Sequence, residues 1–360
     1  MKYDYLIVGC GLYGATIARK CLDHGKSVLI IDKRKHIGGN VYTEKKDGID
    51  IHKYGPHIFH TSSEKIWKFV NQFTEFNNYR HKVIANYNNN LYSLPFNMWT
   101  FYQFWGVRTP EEALSIINKQ KFRDKPSNLE EQALSLVGYD IYHKLIKNYT
   151  IKQWQKDPKE LPASIIKRLP VRFTYDDNYF NDIYQGIPID GYTKMISRMI
   201  DGSVVELETD FFDKRDYWES IASRIIYTGP IDRFYDYEFG KLDYRSLRFE
   251  ESLLDCSNFQ GSAQVNFTDS ATPYTRIIEH KHFIPNNGSG NTVVTKEYSQ
   301  QYDHSNEPYY PINDEINNIT CNKYKNLSKT QMKYIFGGRL AEYRYYDMHQ
   351  VIGAALNIDI

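Results

Sequence analysis

Tyr3-Asp4-Tyr5-Leu6-Ile7-Val8-Gly9-Cys10-Gly11-Leu12-Tyr13-Gly14 stands near the start of the chain, and Ser27-Val28-Leu29-Ile30-Ile31-Asp32 follows one helix-length later. The apolar runs at 5–8 and 28–31 have the unbroken character of parallel strands buried on both faces. Between them, Gly9-x-Gly11-x-x-Gly14 fills a strand-to-helix turn. Ala15, Ile17, Ala18 and Cys21 continue with helical spacing until Gly25. This is a βαβ unit. Its glycines allow a tight turn and let the backbone approach a pyrophosphate at the positive end of the helix. Asp32, at the end of the second strand, is placed to bind ribose hydroxyls. Gly9, Gly11, Gly14, Asp32 and the adjacent Lys33 are therefore the first cofactor-site candidates.

The next motif separates two cofactors. Arg34-x-His36-Ile37-Gly38-Gly39-Asn40 follows the second strand at once. Gly38, Gly39 and Asn40 let the chain pass close to an extended dinucleotide as far as a flavin. The motif resembles that of FAD proteins of the glutathione-reductase and amine-oxidase type. Near the C-terminus, Phe336-Gly337-Gly338-Arg339 precedes Asp347-Met348 at a helix start. In two-domain flavoproteins such a helix end faces the pyrimidine edge of the isoalloxazine, where its partial positive charge favours an anionic reduced flavin.

Elsewhere Thr61-x-x-Glu64 reads as a capping box opening a helix. Val83–Tyr87 and Leu91–Leu94 flank Asn88-Asn89-Asn90 as a hairpin. Thr109-Pro110-Glu111-Glu112 combines a capping box with proline at the first helical position, and about 101–147 reads as largely helical. A tyrosine-rich, turn-rich stretch spans 175–191. Strands are expected at 224–227, 264–267, 276–278, 292–295 and 334–336, and a helix from about Met348. The βα elements at both ends and near Ile225 point to one nucleotide-binding domain interrupted twice.

Bulk composition excludes several classes. With 45 Lys+Arg against 44 Asp+Glu, the formal charge of +1 gives no general attraction for nucleic acid or an anionic membrane. Any anionic ligand must be held by a local basic cluster. Four cysteines without a C-x-x-C pair indicate neither a zinc site nor a disulfide framework, and no metal-ligand spacing is present, so no metal is expected. The N-terminal apolar run is too short for a signal core or a span, so a cytoplasmic protein without membrane insertion is expected.

Several blocks resemble the UDP-galactopyranose mutase family of bacterial type. They are Tyr54-Gly55-Pro56-His57-Ile58-Phe59-His60-Thr61, Lys152-Gln153-Trp154, Leu161-Pro162-Ala163, Lys167-Arg168-Leu169-Pro170-Val171-Arg172 and Asp176-Asp177-Asn178-Tyr179-Phe180. Further along come Pro273-Tyr274-Thr275-Arg276-Ile277-Ile278-Glu279-His280-Lys281, Pro308-Tyr309-Tyr310-Pro311, and Gly338-Arg339 with Tyr345-x-Asp347-Met348. The blocks run in family order through nearly the whole chain. The resemblance implies an α/β fold: a Rossmann-like FAD-binding domain (1–78, 193–243 and 312–360), an inserted helical domain (98–147, mobile and dimer-prone) and an antiparallel β-sheet, substrate-binding domain (79–97, 148–192 and 244–311). A mobile loop is expected at about 168–191. The implied activity is a redox-neutral isomerisation of UDP-galactopyranose to UDP-galactofuranose through a covalent adduct of the sugar with N5 of FADH⁻, serving cell-surface galactofuranose synthesis. A homodimer is implied as well.

The same resemblance distributes roles. Arg168 and Arg276 match the two diphosphate-binding arginines, a task suited to guanidinium forks. Tyr149, Thr150, Trp154 and Tyr179 match the nucleotide-contacting set. Tyr310 and Tyr345 match tyrosines that reach the diphosphate, Arg339 a residue near flavin and sugar, and Arg245 an arginine near the flavin. His57 matches a flavin-facing histidine and completes the catalytic set with Arg168 and Arg276. Leu145-Ile146 and Asn148 depart from the expected aromatic and glycine positions around the uracil. Three alternatives remain at this stage: the same ring contraction on UDP-N-acetylgalactosamine, a flavin-dependent oxidoreductase, and a non-catalytic sugar-nucleotide sensor.

Overall fold

The computed structural model describes residues 2–166, 170–284 and 290–360. A five-stranded sheet runs in the order Tyr334–Phe336, Ala222–Tyr227, Tyr3–Val8, Val28–Ile31, Val204–Glu206, with every neighbouring pair parallel. Alternate residues of its central strands feed two cores. Tyr5, Ile7, Val28, Ile30 and Ile226 pack on one side with Ala15, Ile17, Ala18 and Cys21 of the helix Leu12–Asp23 and with Ile352 and Ala355 of the helix Met348–Leu356. Leu6, Leu29, Ile31 and Ile225 pack on the other side with Phe211, Trp218 and Phe234. Strands covered on both faces have no polar side, which is why residues 5–8 and 28–31 show no alternation. The sheet is Rossmann-like, and its strands come from three separated stretches of chain.

A seven-stranded sheet runs in the order Tyr310–Pro311, Tyr244–Leu254, Thr292–Gln301, Arg276–Glu279, Gln264–Phe267, Val83–Tyr87, Asn90–Leu94. All its pairings are antiparallel except Gln264–Phe267 with Val83–Tyr87. The last hairpin turns through Asn88 and Asn89, at φ 49° and 64°, the left-handed region that asparagine tolerates. From its end the chain enters the helices Met98–Trp105, Pro110–Gln120 and Leu129–Ile141. The third continues through a π-helical turn, Tyr142–Lys147, into Asn148–Trp154. The Thr109 capping box forms as read, with Pro110 in the first turn.

The helix expected from Thr61 starts later. Thr61 ends the strand Phe59–Thr61, which pairs with Tyr184–Gly186. Ser63 is the true N-cap, its hydroxyl accepting the Ile66 N–H, and the helix runs Glu64–Val70. Strand pairing takes precedence over the local box. Among the described residues no helix is long and apolar enough to cross a membrane.

Candidate active site

The glycine turn is locked from both sides. The Cys10 N–H donates to Asp32 Oδ2 at 2.8 Å and the Arg34 N–H to Asp32 Oδ1 at 2.9 Å. One buried carboxylate thus joins the turn to the segment after the second strand. The Gly38 N–H donates to the Cys10 carbonyl at 2.8 Å, docking the second glycine turn on the first. Gly39 sits at φ +54°, and a Cβ there would lie 2.9 Å from Gly11 Cα. A cavity of about 470 Å³ opens over these backbones, lined by Gly9, Gly11, Asp32, Lys33, Gly39 and Asn40 among others. The bare backbone and buried acid fit the pyrophosphate and ribose of a dinucleotide. At the rim, Glu307 pairs with Lys33 (2.9 Å) and Arg34 (3.1 Å), and the Arg34 guanidinium lies 4.5 Å over the Tyr54 ring. Glu307 had carried no signal in the sequence.

The loop from Tyr54 to Thr61 connects this cavity to a second cluster. The His57 N–H donates to His52 Nδ1 at 3.0 Å, and His57 Nδ1 donates to the Gly55 carbonyl at 2.8 Å. Burial, reinforced by the charges of Arg339 and Arg276, lowers the His57 pKa to about 4. Its imidazole is therefore neutral near pH 7, with the Nε2 lone pair available. Gly55, at φ +92°, lets the loop approach an ion pair: a Cβ there would sit 3.3 Å from Glu297 Oε2 and 3.7 Å from Arg276 Nη2.

That ion pair centres the cluster. Arg276 Nη2 donates to Glu297 Oε2 at 2.7 Å, and Glu297 is 4% exposed. Against the opposing effect of burial, Glu297 holds the Arg276 pKa above its ordinary value, helped by Tyr149 and Tyr310. Arg276 Nε is buried without a hydrogen-bond partner among the described residues. Burial raises the hydroxyl pKa values of Tyr149, Tyr179 and Tyr310, each of which feels the Arg276 charge. Tyr310 and Tyr345 stack at 5.7 Å, and the Arg339 guanidinium lies 5.9 Å and 5.6 Å from their ring centres. Arg339 is itself fixed by the carbonyls of Tyr309 and Tyr346. The structure thus brings together His57, Tyr149, Tyr179, Arg276, Tyr310, Arg339 and Tyr345. Asp347, the N-cap of the helix that starts at Met348, borders Tyr179. Arg168 lies outside the described residues.

The remaining expected residues surround this cluster differently. Tyr149, Thr150 and Trp154 share the helix Asn148–Trp154, with Thr150 buried and Trp154 half-buried. Arg245 is almost fully buried, and its nitrogens already donate to the Gln153 carbonyl, Gln155 and Ser299. In this arrangement it fixes the end of that helix. Leu145 and Ile146 are 4% and 5% exposed, in the helical core against which Trp154 packs. Lys152, quoted in the sequence only as part of a motif, donates to the carbonyls of Phe267, Thr272 and Tyr274 at 2.6, 3.0 and 3.1 Å. It clamps the Tyr149 helix to the hairpin that carries Arg276. Burial lowers its pKa to about 8.

Comparison with known proteins places this geometry. A family model described as UDP-galactopyranose mutase matches residues 144–345, and one described as an NAD(P)-binding Rossmann-like domain matches 7–73. The first covers the Tyr149 helix, Arg276, Tyr310, Arg339 and Tyr345. The chain belongs to the UDP-galactopyranose mutase family. It is 43% identical to a probable UDP-galactopyranose mutase of Klebsiella pneumoniae, over 98% of this chain and 93% of that one. It is also 43% identical to a dTDP-fucopyranose mutase of Escherichia coli, over 98% and 96%. A solved structure of reduced UDP-galactopyranose mutase matches with a TM-score of 0.73 over 99% of this chain and 93% of that one, at 14% identity. That likeness establishes the shared fold.

Proposed function

We propose that the chain is a flavin-dependent isomerase interconverting UDP-galactopyranose and UDP-galactofuranose, with FAD as the dinucleotide and FADH⁻ as its working state. The observation that carries this reading is Arg276. It is a guanidinium held on one side by buried Glu297, with a buried Nε that has no partner among the described residues, among protonated tyrosines and beside the histidine loop. A cation fixed by one carboxylate with spare donors suits a diphosphate that gains charge as it leaves. Bound reduced flavin would supply the nucleophile for the anomeric carbon. Arg276, with Arg168 on the sequence evidence, stabilises the departing diphosphate. Tyr310 and Tyr345 donate hydroxyls to it, and Tyr149, Thr150, Trp154 and Tyr179 hold the nucleotide. Neutral His57 and Arg339 border the reacting ring, with Asp347 and Met348 at the flavin edge. We keep the three-part domain division given above, a homodimer and a cytoplasmic location as parts of this reading.

A second reading has one specific support: the equal 43% identity to a mutase named for dTDP-fucopyranose. Both substrates need the same diphosphate grip, so the assay must separate them. Dithionite-reduced protein is incubated separately with UDP-galactopyranose, dTDP-fucopyranose and UDP-N-acetylgalactosamine, and products are resolved chromatographically. The expected outcome is UDP-galactofuranose formed with the highest kcat/KM of the three. Conversion of dTDP-fucopyranose alone establishes the second reading. Stoichiometric consumption of reductant would make the protein an oxidoreductase instead.

Cofactor binding gives an independent check. Gly39→Val places a branched side chain at φ +54° against Gly11 Cα, in a backbone region that β-branched residues disfavour. The variant should bind FAD at least about tenfold more weakly by titration of the apoprotein, given a steric cost of at least ~1.4 kcal/mol. Wild-type affinity for FAD would show that this turn does not face the dinucleotide.

A further inference from the structure

Asp347, placed above at the flavin edge, also converges with His60 and His349 from two distant stretches of chain. One ligating atom from each lies within 4.8 Å of the other two. His60 projects from the strand Phe59–Thr61, while Asp347 and His349 stand at the start of the helix Met348–Leu356. His60 Nδ1 is bound to Asp182 Oδ2 at 2.6 Å, and Asp182 Oδ1 accepts the Ser62 hydroxyl at 2.6 Å. Phe180 stacks on the His60 ring at 3.7 Å. His349 Nδ1 is buried without a hydrogen-bond partner among the described residues.

We propose that His60, Asp347 and His349 form a site for one divalent first-row transition-metal ion of the Zn²⁺ class, with Asp182 as the carboxylate that orients His60. Two imidazoles and a carboxylate are the donors such ions take, whereas Mg²⁺ and Ca²⁺ favour all-oxygen sets. A ligating histidine that gives its other ring nitrogen to a carboxylate is the usual outer arrangement of such sites, and Asp182 occupies that place. His349 Nδ1 is buried and has no hydrogen-bond partner among the described residues, so no protein group competes there with an ion. An occupied site joins the first turn of the C-terminal helix to the strand Phe59–Thr61. Through Asp182 it also reaches the segment before Tyr184–Gly186. The sequence alone does not reveal the trio, because its members share no ligand-spacing motif.

The test uses FAD-loaded full-length protein, stripped with EDTA and then equilibrated with micromolar free Zn²⁺ or Co²⁺. The expected result is one equivalent of Zn²⁺ by elemental analysis and Co²⁺ d–d absorption at wavelengths beyond the flavin bands. His349→Ala should abolish both while keeping its FAD absorbance and far-UV dichroism. Asp182→Asn, which retains the shape of the loop, should weaken Zn²⁺ binding about 10- to 100-fold, and serves if His349→Ala fails to fold. His24→Ala, on an exposed histidine, should bind as the wild type does. Substoichiometric Zn²⁺ on the wild type overturns the proposal, as does unchanged affinity in both His349→Ala and Asp182→Asn.

Discussion

Arg276→Ala is expected to lower kcat by at least about 10²-fold, the scale of losing one preorganised electrostatic group at a developing charge. Breaking the sugar–phosphate bond puts extra charge on the diphosphate, so a fixed cation helps more in the transition state than in the bound substrate. Arg276 is fixed: Glu297 holds one terminal nitrogen at 2.7 Å, and Gly55 packs against the pair. The dinucleotide cavity does not include Arg276, so FAD content should stay at the wild-type level. One complication is structural, because the alanine variant leaves the Glu297 carboxylate buried and unpaired, which destabilises. Arg276→Ala/Glu297→Gln removes that charge. It should recover stability while leaving kcat low, separating the loss of chemistry from the loss of fold. Arg276→Lys should recover activity only in part, since a point charge lacks the planar fork. The same loss is expected of Arg168→Ala, while Arg123→Ala, on an exposed arginine outside every matched block, should leave kcat unchanged. If Arg276→Ala keeps near-normal kcat and only raises KM, the arginine binds substrate and transition state equally and the assigned role is wrong.

How much of this was legible in the sequence follows from how local each signal is. The βαβ unit was readable because two-sided burial writes an unbroken apolar run, and the glycine turn sits directly between strand and helix. The eleven-residue strand Tyr244–Leu254 was not, since its first four residues are buried together and the rest carry Arg248, Glu250 and Glu251. That sequence has no clean period of two. The arginine–tyrosine cluster was legible only through matched blocks, because composition gives no reason to choose one tyrosine among 31. Its supports were silent for a different reason. Glu297 reads as an ordinary acid within a strand, and only the partner across the sheet, Arg276, gives it meaning. Lys152 finds its three carbonyls more than a hundred residues away, and Glu307 meets Lys33 and Arg34 only through the fold.

Turnover is expected from the reduced protein alone. In the proposed reaction the sugar is neither oxidised nor reduced, yet its anomeric carbon must be attacked by an electron-rich partner before the ring can reopen. Burial holds the Tyr149, Tyr179 and Tyr310 hydroxyls protonated, and Arg276 and Arg339 are cations. Neutral His57 keeps a lone pair on Nε2 and Glu297 carries a carboxylate, so dependence on the redox state is what separates a flavin nucleophile from a side-chain one. In the proposed reaction the nucleophile comes from the cofactor, and only its reduced state is electron-rich. The N-terminus of the helix Met348–Leu356 offers a partial positive charge for an anionic reduced form. Holoenzyme kept rigorously oxidised should therefore run at least about 10³-fold slower than the dithionite-reduced form, a conservative figure beside what removal of an enzyme's nucleophile costs. Because no net electrons move, one round of reduction should support many turnovers under anaerobic conditions, with the flavin absorbance at the end unchanged from the start. Equal rates from the oxidised and reduced forms would remove the cofactor from the chemistry and leave the Rossmann-like domain with a structural role.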